Sequence, residues 1–215
     1  MMAEEQIDVY DWDGVWTGVT KPKSQVHRDG DIHICVHGVI TDGEGRIIAQ
    51  HRGPGVKLMR NVWDAMSIAG HISALTPEER RDDPFKHDII WQALRALNRE
   101  AAEELGQEFP PLVFGDSLTM FGITRTDQRT EDGWMDRTLS VNFMLTMPDA
   151  NPAAFMLEED KVLAVCWMHV DEIEAAIETG TGPTLARREP DNYHLLRGVV
   201  DCARRIQRLR NQKVG

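Results

Sequence analysis

Eight consecutive residues, Arg99-Glu100-Ala101-Ala102-Glu103-Glu104-Leu105-Gly106, concentrate more chemistry than any other stretch of the 215-residue chain. On a helix, at about 100° per residue, Glu100 and Glu104 fall on successive turns of one side, with Glu103 one position round. Like charges at these spacings repel and cost helix stability. Three hard oxygen donors on one rigid element are, however, what Mg2+ or Mn2+ requires. The plainer reading is a solvated acidic face, and spacing alone does not decide between the two. Arg99 has Glu103 as an i, i+4 partner, which suits an orienting cation and an ordinary surface ion pair equally.

The elements that must position these groups follow from periodicity. Ile90, Leu94, Leu97, Ala101 and Leu105 recur every three or four residues, which predicts a helix over 87–106 ending at Gly106. Residues 32–40 and 46–50, joined by the Gly-containing turn 41–45, predict a β-hairpin. A short strand is expected over 64–72, then strands over 112–123, 138–147 and 161–170 with a polar loop over 124–136. Residues 75–86, charged and carrying Pro77 and Pro84, read as an exposed insertion. Asp171 is the expected N-cap of a following helix. A last helix over 191–209 places Leu195, Val199, Cys202, Ile206 and Leu209 on one face. The class is mixed, with a largely local, hairpin-type sheet.

Composition excludes several functions. With 24 Lys plus Arg against 35 Asp plus Glu the net charge is −11, which repels long nucleic acid. A hydrophobic fraction of 41% supports a sizeable core. Three distant cysteines, Cys35, Cys166 and Cys202, fit a reducing compartment. No signal-peptide pattern and no apolar run of about 20 residues appear, so a cytosolic protein with no membrane partner is expected. His27, His33, His37, His71 and His87 lack metal-ligand spacing, which argues against zinc; His33 and His37 read as strand residues. Ser67 is not in a nucleophile elbow. Trp134, in the polar loop, is a stacking candidate, whereas Trp63 and Trp167 are expected in the core.

The central motif resembles the second half of the Nudix box, with Arg99, Glu100, Ala101, Glu103, Glu104 and Gly106 matching in place. Gly70 looks like the glycine of the box. Gln50-His51-Arg52 with Lys57, and the N-terminal His27, Gly30 and His33, resemble the branch that includes isopentenyl diphosphate isomerase. Two features depart from the pattern. Gly70 and Arg99 stand 29 positions apart, where the family has roughly half that distance. The box's first glutamate has no clear equivalent, Glu78 and Glu79 being the nearest substitutes.

The resemblance implies one α+β domain over 1–215, an α/β/α sandwich with a mixed central sheet and flanking helices. An N-terminal strand segment would occupy 1–30 and an insertion about 75–87. It further implies hydrolysis of a diphosphate linkage in a small substrate, such as a nucleoside diphosphate derivative. Mg2+ or Mn2+ would be held by Glu100, Glu103, Glu104 and the Gly70 carbonyl, with Glu103, Glu104 and Arg99 in catalysis. Arg52 and Lys57 are candidate phosphate contacts beside Trp134. Glu103, Glu131, Glu158 and Glu159 are the candidate bases, and a homodimer is compatible with the family branch. The isomerase reading ranks below, because its cysteine-containing strand-end motif is absent: residues 120–124 occupy the comparable region. A non-catalytic sensor ranks below too, since its glutamates would be free to vary.

Overall fold

The computed structural model describes residues 4–56, 59–83, 85–86, 88–106, 117–129, 133–158, 160–186 and 194–214. In chain order these form β1 (Gln6–Tyr10), β2 (Trp16–Pro22), α1 (Lys23–Asp29), β3 (His33–Thr41), β4 (Arg46–Arg52), β5 (Trp63–Asp64) and β6 (Ile68–His71). There follow α2 (Pro77–Asp82), α3 (Ile89–Leu105), β7 (Leu118–Arg129), β8 (Met135–Thr146), β9 (Val162–His169), α4 (Val170–Thr179) and α5 (His194–Val214).

A mixed sheet in the order β5-β4-β3-β8-β7 forms the centre, with β6 added to β3 and β9 to β4. Its middle is the parallel pairing of β3 with β8, registered from His33↔Thr138 to Thr41↔Thr146. The expected local hairpin is therefore reduced to its base. β3 and β4 pair at Thr41↔Ile47, and β4 then runs antiparallel to β9. Turn chemistry at 41–45 fixed that corner, but which strand lies beside each arm depends on distant partners.

Helices cover both faces. α3 lays Ala93, Ala96, Leu97, Ala101 and Leu105 on a core that includes Ile34, Val36, Leu139, Val141 and Phe143. Burying a leucine such as Leu97 contributes roughly 1.5–3 kcal/mol. Asp88 caps α3 by accepting from the amides of Ile90 and Trp91, and Gly106 ends it in the left-handed region at φ 62. On the other face α4 and α5 bury Ile173, Val199 and Ala203 against Val39, Ile47 and Met144.

Several local expectations need correction. The loop over 124–136 is largely strand: β7 and β8 form a long hairpin in register from Leu118↔Leu145 to Arg129↔Met135. His169, not Asp171, caps α4, through a capping box with Glu172. Segment 1–30 contains the helix α1 as well as the β1–β2 ribbon. The insertion carries a helix, α2, started by a Thr76–Glu79 capping box. Arg80 joins it to Asp8 at 2.9 Å and lies 4.1 Å over the Trp16 ring. Arg95 of α3 meets Glu79 at 2.7 Å and Asp83 at 3.2 Å. The insertion thus braces the N-terminal ribbon against α3, and Glu79 is committed to that brace. Pro84 and His87 lie outside the described residues.

Candidate functional site

The glutamates of α3 part company in three dimensions. Glu100 is 8% exposed and its side chain crosses directly over Gly70 of β6, in space that a Cβ at position 70 would need. Only glycine leaves room for a carboxylate so close to the strand backbone. Glu104, one turn on, accepts from the Ala69 amide at 3.3 Å. Glu103 points outward, about half exposed. Arg99 pairs more closely with Glu100 (2.7 Å) than with its i, i+4 partner Glu103 (3.5 Å). It also donates to the His71 carbonyl at 2.7 Å, which ties helix to strand.

Burial dominates the electrostatics of the inner pair. It pushes the Glu100 carboxyl up to about 7; Arg99 opposes the rise, while Glu103 and Glu5 add to it. Glu104 is pushed up to about 8, by burial first and by Glu100 second, against the Ala69 amide, Arg52 and Lys161. Two carboxylates desolvated side by side lack sufficient cationic compensation. The donor set, hard oxygens over a glycine backbone, fits a divalent ion that would supply it.

Both glutamates line a cavity of about 460 Å3, ample for one small ligand. Arg52 lines it too, but is held by Asp64 at 3.2 Å and by the Met59 carbonyl. Lys57 lies outside the described residues. Two further cations that sequence reasoning missed line the same cavity, Lys23 from α1 and Lys161 from the turn before β9. The loop after β4 is docked on that turn: Gly53 donates to the Lys161 carbonyl at 2.7 Å and Gly55 to that of Asp160 at 2.8 Å. Glu158 pairs with Lys161 at 2.9 Å; Glu131 and Glu159 lie outside the described residues. Trp134 lines the cavity, with one face stacked on His27 at 4.2 Å between ring centroids.

The histidines do more than their spacing suggests. His27 of α1, His33 of β3 and His71 of β6 bring one ring nitrogen each within 4.8 Å of one another. His33 is the strand residue that its alternation predicts, and the fold adds these two neighbours to it. The His27 Nδ1 faces the Met135 carbonyl at 2.7 Å and the His33 Nδ1 that of Asp31 at 3.2 Å. A carbonyl only accepts, so both rings carry the proton on Nδ1; the His27 Nε2 then accepts from the His71 Nε2 at 3.2 Å, and the His33 Nε2 keeps a lone pair. The buried His33 Nε2 has no hydrogen-bond partner. Burial, then His27, pushes His33 down to about 3, and burial also holds His71 well below its ordinary value. A borderline transition-metal ion takes neutral imidazoles, and ligation here would require His71 to move its proton from Nε2 to Nδ1. One sequence signal was available, three histidines beside predicted strand ends, but nothing local showed that they converge.

Ser67 accepts from the Ile40 amide and donates to the Ile48 carbonyl, a structural role. The three cysteines are free thiols. Among the described residues no helix is long and apolar enough to cross a membrane.

No protein-family model matches the chain. Nudix hydrolase 3 of Arabidopsis thaliana is 30% identical over 174 residues, which cover 80% of this chain and 20% of that protein. The chain therefore spans about one fifth of this curated relative. Among solved structures, the protein DR0079 of Deinococcus radiodurans superposes with a TM-score of 0.58 at 17% identity, over 94% of this chain and 99% of that one. A NUDIX hydrolase from Alicyclobacillus acidocaldarius gives 0.52 at 13% identity, over 80% and 93%.

Proposed function

The chain has the fold of the Nudix hydrolases, and from that premise we propose that it is a metal-dependent hydrolase of a small diphosphate. The observation that carries the reading is the buried Glu100–Glu104 pair over Gly70, at a cavity that also gathers Lys23, Arg52 and Lys161. An acidic protein with −11 net charge gains from such local cations when it takes up a phosphorylated ligand.

In this reading Glu100, Glu104 and the Gly70 carbonyl hold Mg2+ or Mn2+. When bound, the ion supplies charge neutralisation at the phosphoryl oxygens and activation of water. Arg99 positions Glu100 by its 2.7 Å contact and fixes α3 to β6 through the His71 carbonyl. Lys161 and Lys23 contact phosphate oxygens, and Arg52 shapes the loop between them. Glu103, which points out of the cavity, and Glu158, paired with the cavity-lining Lys161, are the candidates for taking the proton of the attacking water. The His27–His33–His71 cluster is a second, nitrogen-donor site along the same cavity.

Phosphate release from a panel of diphosphates tests the assignment. Glu104→Gln should lose metal activation, with turnover down by about 100-fold or more. Glu103→Gln and Glu158→Gln should each keep the metal titration midpoint, and the one that loses turnover marks the base. Undiminished release by Glu104→Gln at every metal concentration would sink the reading.

A further inference from the structure

The central sheet carries a polar area that the fold does not need. Side chains of β3 and β8 alternate between the two faces of the sheet. One face is apolar throughout, with Ile34, Val36, Leu139, Val141 and Phe143 under α3. The other is divided. Val39 and Met144 are covered in the core beneath α4 and α5, whereas His37, Thr138, Ser140 and Asn142 form a buried polar patch. β7 extends it, with Thr126 opposite Thr138 and Thr124 opposite Ser140. His37, Thr126, Thr138 and Ser140 all line the cavity that holds the glutamates.

Asn142 is spent on the protein itself. Its amide nitrogen, with two hydrogens to donate, has three acceptors in reach, the Gly122 carbonyl, the Thr124 hydroxyl and the Ser140 carbonyl, so its oxygen must face the His37 Nδ1, at 2.9 Å. His37 consequently carries its proton on Nδ1, and Nε2 is its acceptor nitrogen. The hydroxyls are less engaged. Thr138 and Ser140 share one long contact of 3.4 Å, although each hydroxyl can donate once and accept twice. These side chains are 3% and 1% exposed, and burying hydroxyls with capacity to spare is costly. Valine or alanine would pack the sheet as well, as the opposite face shows.

We propose that this floor binds the hydroxyl-bearing organic part of the substrate, with His37, Thr126, Thr138 and Ser140 as specificity-determining residues. The chain then selects a diphosphate attached to a sugar-type ring over one attached to a hydrocarbon. The inference rests on the diphosphate reading above, and its test separates the two.

Two probes of like charge, adenosine diphosphate and isopentenyl diphosphate, are titrated calorimetrically into the full chain with Mg2+, and phosphate release is followed in parallel. Wild type should bind the adenosine compound at least tenfold more tightly. Thr138→Val with Ser140→Ala should weaken that probe by about tenfold and leave isopentenyl diphosphate unchanged. Ser140→Thr, which keeps a hydroxyl, should retain the preference, and Thr138→Val alone serves if the double variant fails to fold. Equal affinity for the two probes, or a uniform loss on both, overturns the proposal. If selectivity holds but neither probe releases phosphate, the hydrolase reading falls and the floor stands. If both are cleaved with equal efficiency, the floor falls and the hydrolase reading stands.

Discussion

Replacing Gly70 by alanine puts one methyl group into the space that Glu100 occupies. The nearest atoms to an ideal Cβ at this position are the Cδ, Cγ and Oε1 of Glu100, all well inside van der Waals contact. Carbon atoms settle near 3.5–4.0 Å, so the carboxylate must retreat by roughly 1.3 to 2 Å. It cannot swing freely, because Arg99 grips it at 2.7 Å and is itself bound to the His71 carbonyl. A misplacement of about 1 Å at a reacting centre costs on the order of 100-fold in rate. Gly70→Ala should therefore lower kcat/KM for a diphosphate by about that factor and shift the Mg2+ activation midpoint upward. Overpacking adds a stability cost of about 1–3 kcal/mol. Gly38→Ala provides the control: its Cβ would meet Leu97 Cδ1 at 2.6 Å, far from any carboxylate. It should lower Tm comparably yet leave the Mg2+ midpoint in place. The assay is phosphate release across a metal titration, with a thermal melt of each variant. If Gly70→Ala shows the wild-type midpoint and kcat, Glu100 over Gly70 is not a metal-holding arrangement.

Two further outcomes are expected. Glu100 and Glu104 sit near 7 and 8 in the folded chain against an ordinary 4.5, so the folded state binds protons more tightly than the unfolded one. Without metal, stability must then fall as pH rises from about 4.5 to 8. Urea melts in chelator at pH 5 and pH 8.5 measure the slope, which Glu104→Gln should flatten and Mg2+ should offset at the higher pH; a metal-free protein that gains stability over this range contradicts the assigned burial. Co2+ added to the full chain should produce visible absorption typical of nitrogen ligation, and His33→Ala should remove it. An identical spectrum in that variant would rule out the histidine cluster as its source.

Much of the local structure was legible because it depends on near neighbours. The apolar stripe from Ile90 to Leu105 and the Gly106 stop defined α3 within two residues at each end. Loop and cap assignments failed where distant strands intervened. Residues 124–129 look polar, yet they are strand because β8 supplies their ladder and the cavity supplies a polar face. The cap of α4 is His169, two residues before Asp171, because β9 runs through His169 and the helix starts directly at Val170.

The sequence by itself determined the helix, the carboxylates on it and the alternation of polar with apolar residues along β3 and β8. An α-helix has a fixed pitch and a strand a fixed two-residue period, so faces can be read from spacing. Only the tertiary structure decided that Glu100 and Glu104 are buried while Glu103 is not, since burial depends on what packs opposite, here Gly70 of β6. It alone brought His27, His33 and His71 together from three elements. It alone aligned the polar faces of β3, β8 and β7 into one floor, because the register between strands distant in sequence is set by the whole sheet and not by any one segment.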